Sequence, residues 1–311
     1  MTNPWWLLSA GAGIASALLY GLAPASPPGA MMLSVLIPVP LFMAGLGLGA
    51  IAGALASAVA IAGVLILQGP MAGAIFAGGF AVPAAILVRQ AMLSRTTDGV
   101  TVWYPAGLLA ATLTVVGMGV AVAVTTIISS LEVQQMFDER LHAFAESFAS
   151  SGRGEVTVEE LLRKMEWTKR LLPGMMTSFL MLILLASSAL AQSALEKMNR
   201  ALRPWPDFAG MELPNWMAVV AAISVTAAML LPAPAGTYAV AISFAVCSAF
   251  LLQGLAVVHA FNRKIQGGTI LLVIFYLLVF GPVWPSVLVV LLGAVEQFAG
   301  IRQRLIKTTE Q

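Results

Sequence analysis

The chain has 311 residues, of which 59% are hydrophobic and only 10% charged, and its formal net charge is +2. With a mean hydropathy of +0.93 it lies outside the range of soluble domains, which carry about 25% charged residues. The small net charge and the lack of a basic patch with interleaved aromatics exclude nucleic acid as a partner. The single cysteine, Cys247, excludes an internal disulfide, and two histidines far apart in the chain make no metal site, so neither metal nor cofactor is expected.

Apolar runs follow one another at about 4–22, 29–48, 50–67, 70–93, 105–130, 173–195, 215–231 and 236–260. Each approaches the roughly 20 residues that cross a hydrocarbon core. The first begins MTNPWWLLSAG, without a basic leader, and reads as a first span and not as a cleaved signal. The last apolar stretch, 268–300, is too long for one straight helix, which would measure about 50 Å. Pro282 and Pro285 interrupt its middle, so it divides into 268–281 and 283–300, as two full spans or as a re-entrant hairpin. The expected fold is all-α, a polytopic bundle of about ten spans, nine or ten depending on that hairpin.

Charge sets the orientation. With the N-terminus inside, the cytoplasmic side receives Arg89 and Arg95, then Lys197, Arg200 and Arg203, then Arg263 and Lys264, then Arg302, Arg304 and Lys307. The short outer loops receive no basic residue, as the positive-inside rule requires. Both ends are therefore expected in the cytoplasm. Trp5, Trp6, Trp103, Trp205, Trp216 and Trp284 fall near span ends, where amphipathic rings sit at the headgroups. Three parts result: membrane helices over 1–130, an extracytoplasmic segment over 131–172, and further membrane helices with a basic tail over 173–311.

The extracytoplasmic segment carries six basic and eight acidic residues. Val133, Phe137, Leu141, Phe144 and Phe148 recur at helical spacing. After SSGRG, Thr157 and Glu160 form a capping box, with Val156 and Leu161 placed as a staple. A second helix then buries Val158, Leu161, Leu162, Met165 and Leu172. This amphipathic pair reads either as a folded linker or as a lid over a substrate site.

Few residues within the spans carry chemistry. Glu296 is the one carboxylate inside an expected span; Arg89 and His259 sit near span ends, and Gln192 and Gln253 lie deeper. Intramembrane polar groups of this kind are functional candidates. No nucleophile stands beside a base and no glycine loop precedes a lysine, so an enzyme is not expected. Pro38, Pro40 and Pro83 deprive the carbonyls of Ser34, Leu36 and Gly79 of their helical donors. Freed carbonyls at membrane depth face protein, water or ligand, and broken helices form substrate sites in several transporters. The candidate substrate-binding set is accordingly Pro38, Pro40, Gly45, Pro83, Gln253, Gly254 and Glu296. The small residues Ser9, Gly13, Ala17 and Gly21 repeat every four positions in the first run, as do Gly45, Gly49 and Gly53 further on. Ser9, Gly13, Ala17, Gly21, Gly49 and Gly53 form the expected helix-packing set.

LPNWMAVVAAIS, LLQGLAVVHAFNRK and LLGAVEQFAGIRQRL resemble the YybS-like family of predicted bacterial integral membrane proteins. The matching positions are Pro214, Trp216, Gln253, Gly254, Gly293 and Arg302; where the family pattern has an aspartate this chain has Glu296. The early helices are distantly similar to the substrate-binding components of energy-coupling-factor vitamin transporters. That likeness implies a multi-pass inner-membrane protein, in contact with the lipid bilayer, that binds or transports a small solute and relies on membrane protein partners. The competing expectation is a non-catalytic membrane scaffold or assembly protein.

Overall fold

A computed structural model describes residues 4–22, 33–150, 157–208, 210–262, 268–280 and 283–302. Arg263, Lys264, Arg304, Lys307, Pro282, Val156 and all but the first residue of the SSGRG break fall outside these residues, as does the ring of Trp284. The helices are α1 (Trp5–Leu22), α2 (Val39–Leu48), α3 (Ala50–Gln68), α4 (Pro70–Ala91), α5 (Ala106–Ile128), α6 (Leu131–Ser150), α7 (Val158–Lys197), α8 (Trp216–Leu230), α9 (Ala235–Asn262), α10 (Gly268–Phe280) and α11 (Val283–Ala299). Among the described residues, six are long and apolar enough to cross a membrane: α1, α3, α4, α5, α7 and α9. The other expected spans are shorter apolar helices; α8, α10 and α11 have 15, 13 and 17 residues. A multi-pass helical membrane protein follows.

Two compact units divide the chain. The first comprises Met1–Val116, Leu180–Pro214 and Ala249–Gln311; the second comprises Gly117–Phe179 and Asn215–Ser248.

In the first unit, packing is inverted relative to a soluble bundle. On α3, Ala52, Ala56 and Ala60 are buried while Ile51 and Ile66 are exposed. Lipid removes the incentive to hide large apolar side chains, so small residues go inside, where they bring backbones together. A Cβ on Gly13 of α1 would meet the Ala56 carbonyl oxygen at 2.5 Å and the Val59 Cβ at 2.8 Å, and one on Gly63 would lie 3.0 Å from Ala17. Ser9, Gly13, Ser16 and Ala17 are the buried residues of α1. The small-residue face of the first helix is thus filled by α3 of the same chain. Gly21 sits at the end of that contact, near the Gln68 side chain.

Single glycines turn α2 into α3 and α3 into α4. Gly49 has φ of +107° and Gly69 of +87°, values open to glycine alone because a Cβ would clash with its own backbone. Gly49 meets nothing within 4 Å, so it serves the turn and not the packing face. Gly53, on the next turn, approaches the Cα of Gly45. Gly49→Ala is expected to cost about 1–3 kcal/mol through backbone strain alone. A melting temperature equal to that of the native protein would sink that assignment.

The proline breaks are answered within the protein. Before α2 the helix relaxes into a turn at Ile37 and Pro38. The Ile37 carbonyl accepts the Ser16 hydroxyl at 2.6 Å, and the Val35 carbonyl accepts that of Ser187, also at 2.6 Å. These are neighbours of the Ser34 and Leu36 carbonyls singled out by the prolines, because the whole turn opens and not just the two bonds lacking a proline N–H. Pro40 stands in the first turn of α2, where no donor is needed. In α4, the bond lost at Pro83 is absorbed by a π-helical segment over Ala77–Ala81. Beside it, Phe76 and Phe80 pack edge-on against Tyr20 of α1.

Two departures from the expected all-helical pattern stand out. Residues 94–103 form an antiparallel hairpin, β1 (Ser94–Thr97) with β2 (Val100–Trp103), turning at Asp98-Gly99. Both turn residues have positive φ, 52° and 76°, the geometry that Asp-Gly favours between strands. In addition, α7 runs unbroken for 40 residues with Pro173 inside it, so the boundary at 172/173 is not a helix end. The Pro173 carbonyl accepts the Thr177 hydroxyl at 2.8 Å.

In the second unit α6 joins the first half of α7 through an ion pair between Asp138 and Lys169, at 2.5 Å. The Glu160 N–H donates to the Thr157 hydroxyl at 3.2 Å, one half of the expected capping box. Among the described side chains of α6, Leu141 and Ala145 are buried, whereas Phe144 and Phe148 are exposed and stack on each other. Arg170 closes the end of α8, donating to the carbonyls of Ala228 at 2.5 Å and Leu231 at 3.1 Å.

Candidate functional site

The candidate site lies wholly in the first unit. It is a cavity of about 110 Å³ walled by α2, α4, α5 and α7, by Leu252 of α9, and by the segment after α7. Asn199 ends α7 with φ of +54°, and the Arg200 N–H reaches back to the Leu195 carbonyl at 2.9 Å. That left-handed cap turns the chain sharply. The Leu202 N–H then bonds the Leu46 carbonyl of α2 at 3.2 Å, which draws the next residue, Arg203, inward.

Arg203 is 5% exposed. Its Nη1 donates to the Ala91 carbonyl at the end of α4 (2.8 Å), and its Nη2 to the Tyr104 carbonyl just after β2 (2.7 Å). Its own carbonyl accepts from Gln192 Nε2 at 2.7 Å. The Nε–H is buried and has no partner. Burial pulls the guanidinium pKa below its ordinary value, because desolvation disfavours the charged form. The rest of the wall is nearly all apolar, with Phe42, Val88, Leu113 and Leu184 buried around it. Trp205 and Phe208 line the cavity yet stay exposed, which puts its opening on their segment.

None of the seven candidate binding residues lines this cavity, although several border it. Gly45 makes room for Val88, and Gln253 adjoins Leu252. Pro38, in the turn before α2, and Pro83 are buried, and Pro40 is half-buried. Gln253 is 2% exposed with its Oε1 unpartnered. Gly254 and Gly293 bring α9 against α11, each pressed on a backbone carbonyl of the other helix, Val289 and Phe250 respectively. Glu296 is buried in an ion pair with Arg302, Nε to Oε1 at 2.8 Å, and also accepts the Ile301 N–H at 2.7 Å. Arg302 in turn donates to the Met211 carbonyl at 2.6 Å.

In the sequence Arg203 reads only as one cytoplasmic charge among several. Its neighbourhood, LRPWPDF, holds the available signal: an arginine followed at once by two prolines and two aromatic residues. Of Glu296, His259 and Asn262, none lines the cavity. His259 donates from Nδ1 to the Leu255 carbonyl at 2.9 Å and faces the Tyr276 hydroxyl at 3.3 Å through Nε2. Among the described residues no cluster of His, Cys, Asp and Glu could hold a metal.

No curated protein and no solved structure matches the chain. A family model does, over residues 14–295, under the description "Predicted membrane protein (DUF2232)". The buried cation, the outward-facing large apolar residues and the six membrane-length helices belong to an integral membrane protein on their own account. The match covers most of the chain, which therefore belongs to the DUF2232 family of predicted membrane proteins.

Proposed function

We propose that this protein is a multi-pass inner-membrane protein of about ten spans, with both ends cytoplasmic, that binds a small solute in the Arg203 cavity. In that role it works as a binding or transport component alongside membrane protein partners. The observation that carries the reading is the cavity itself: an apolar space whose one charged wall group is buried with an N–H unanswered. Structural arginines are normally paired or hydrated, and a donor left dry costs free energy unless something fills the space. The resemblance to YybS-like proteins and to energy-coupling-factor binding components supports the same reading.

The topology rests on the basic residues. It puts the hairpin, Arg203 and Arg302 on the cytoplasmic side and the amphipathic segment, α6 with the start of α7, on the other. Cysteines introduced singly at Thr97 and Ser147 test it. The first should label only after cells are opened, the second in intact spheroplasts, and the reverse pattern would invert the topology. The scaffold alternative loses its strongest face, because Gly13 and Ala17 already pack on α3.

Native mass spectrometry after mild extraction tests the binding reading. The native protein should retain a small molecule, and Ala110→Phe, which fills the cavity from α5, should lose it. A native protein that carries no ligand from any extraction, and a variant indistinguishable from it, would remove the site.

A further inference from the structure

We infer that the occupant of the Arg203 cavity is a small organic monoanion, a carboxylate borne on an apolar ring or short hydrocarbon chain. The inference rests on the binding reading above and names the class of ligand for the same cavity.

The sign of the ligand comes from charge balance. Arg203 makes no ion pair among the described residues; its guanidinium donates instead to the two backbone carbonyls of Ala91 and Tyr104. The C-terminus of α4, to which Ala91 belongs, supplies about half an elementary negative charge. The remainder of a buried cation is uncompensated, and burying charge without a partner is costly. The acid placed nearest by hydrogen bonding, Glu196, is exposed and contacts Gln192 at 3.3 Å, not Arg203. Arg203 lines the cavity, so an anion entering it would stand beside the guanidinium and relieve that imbalance.

The number of charges comes from the donors. One guanidinium, already holding the Ala91 and Tyr104 carbonyls, suits one carboxylate. A phosphate dianion would bring more acceptors than the site can satisfy, and each would be stranded against apolar wall. The apolar body comes from that wall, formed at its deepest by Phe42, Leu113 and Leu184. Its size comes from the volume. About 110 Å³ is of the order of an engineered cavity of about 150 Å³ that admits benzene. A ring or a short chain fits, and the two acyl chains of a phospholipid do not.

The full chain in phosphatidylcholine nanodiscs tests this by calorimetric titration and thermal shift. The probes are benzoate and octanoate, with benzyl alcohol and octanol as neutral counterparts and benzylamine as a cationic one. Benzoate or octanoate should bind about tenfold or more tighter than the matching alcohol, the ratio expected for a hydrogen bond to a charged group. Arg203→Gln should abolish that preference. Because Arg203 also ties α4 to the end of β2, Arg203→Lys provides a second readout: it keeps the charge but lacks the planar guanidinium, and should lose most of the preference while remaining folded. Ala110→Phe should abolish binding of every probe.

Alcohols binding as tightly as the acids would overturn the carboxylate assignment and leave the cavity reading standing. Binding of no probe at all, with Ala110→Phe as stable as the native protein, would take down both. Palmitate in the bilayer competing with octanoate would place the carboxylate's source in the membrane as a free fatty acid. Its failure to compete would place the source in the aqueous phase. Displacement of octanoate by phosphatidylglycerol would overturn the monocarboxylate in favour of a phospholipid headgroup.

Discussion

Arg302→Ala lowers the stability of the protein by about 3–5 kcal/mol, the usual cost of removing one partner from a buried ion pair. Arg302 and Glu296 are each about 5% exposed, so the abandoned Glu296 carboxylate cannot be rescued by water. The loss extends beyond the pair. The guanidinium also donates to the carbonyls of Met211 (2.6 Å) and Phe208 (3.4 Å), which pins the segment after α7 to the end of α11. Phe208 lines the Arg203 cavity, so ligand retention should fall along with stability. Glu296→Ala should cost a similar amount, because Glu296 also accepts the Ile301 and Arg302 N–H groups past the helix end. Glu296→Leu combined with Arg302→Met should recover part of the loss, since an apolar pair removes the stranded charge but not the lost helix-end bonds. Thermal unfolding in detergent measures all four proteins. Single variants that melt with the native protein would mean the pair does not form.

Gly254→Val and Gly293→Val are the other severe substitutions. In each, the first added carbon lands on a backbone carbonyl of the facing helix, Val289 for Gly254 and Phe250 for Gly293. A flexible side chain could move aside; a helix backbone moves only by separating α9 from α11. Overpacking of a close-packed interior costs roughly 1–3 kcal/mol, and these two should stand at or above the top of that range. Leu252, two residues before Gly254, lines the cavity, so Gly254→Val should weaken ligand retention as well. Gly119→Ala provides the contrast, because nothing lies within 4 Å of its added carbon. It should be neutral or stabilising by about 0.5–1 kcal/mol, as for glycine in a helix interior. Destabilisation by Gly119→Ala as large as that by Gly293→Val would show that the interhelical contact is not what decides these positions.

Much of the architecture was legible in the residue order, because a bilayer imposes local rules. Length and hydropathy place the apolar helices, and glycines with prolines mark where they stop. Small residues every four positions in the first run announce a close helix contact, and Gly13 against Ala56 is that contact. The hairpin has its own local signal, Asp98-Gly99 between β-branched residues, set between two much longer apolar runs. Pro173 shows the opposite case: a local rule predicts a helix end, and α7 continues because a membrane helix has no water to which its backbone could turn.

What only the tertiary structure decided is the fate of each polar group. Glu296 reads in sequence as a lone acid within a span and becomes the anchor for an arginine six residues on. Gly254 reads as a binding position and is a contact between helices. Arg203 reads as one more cytoplasmic charge, yet it is buried on two carbonyls that stand 112 and 99 residues away along the chain. Sequence order determines which segments avoid water, since that depends on each segment's own composition. Whether a charge is paired, dry or left with an open donor depends on which distant backbone meets it, and that is settled only when the helices pack.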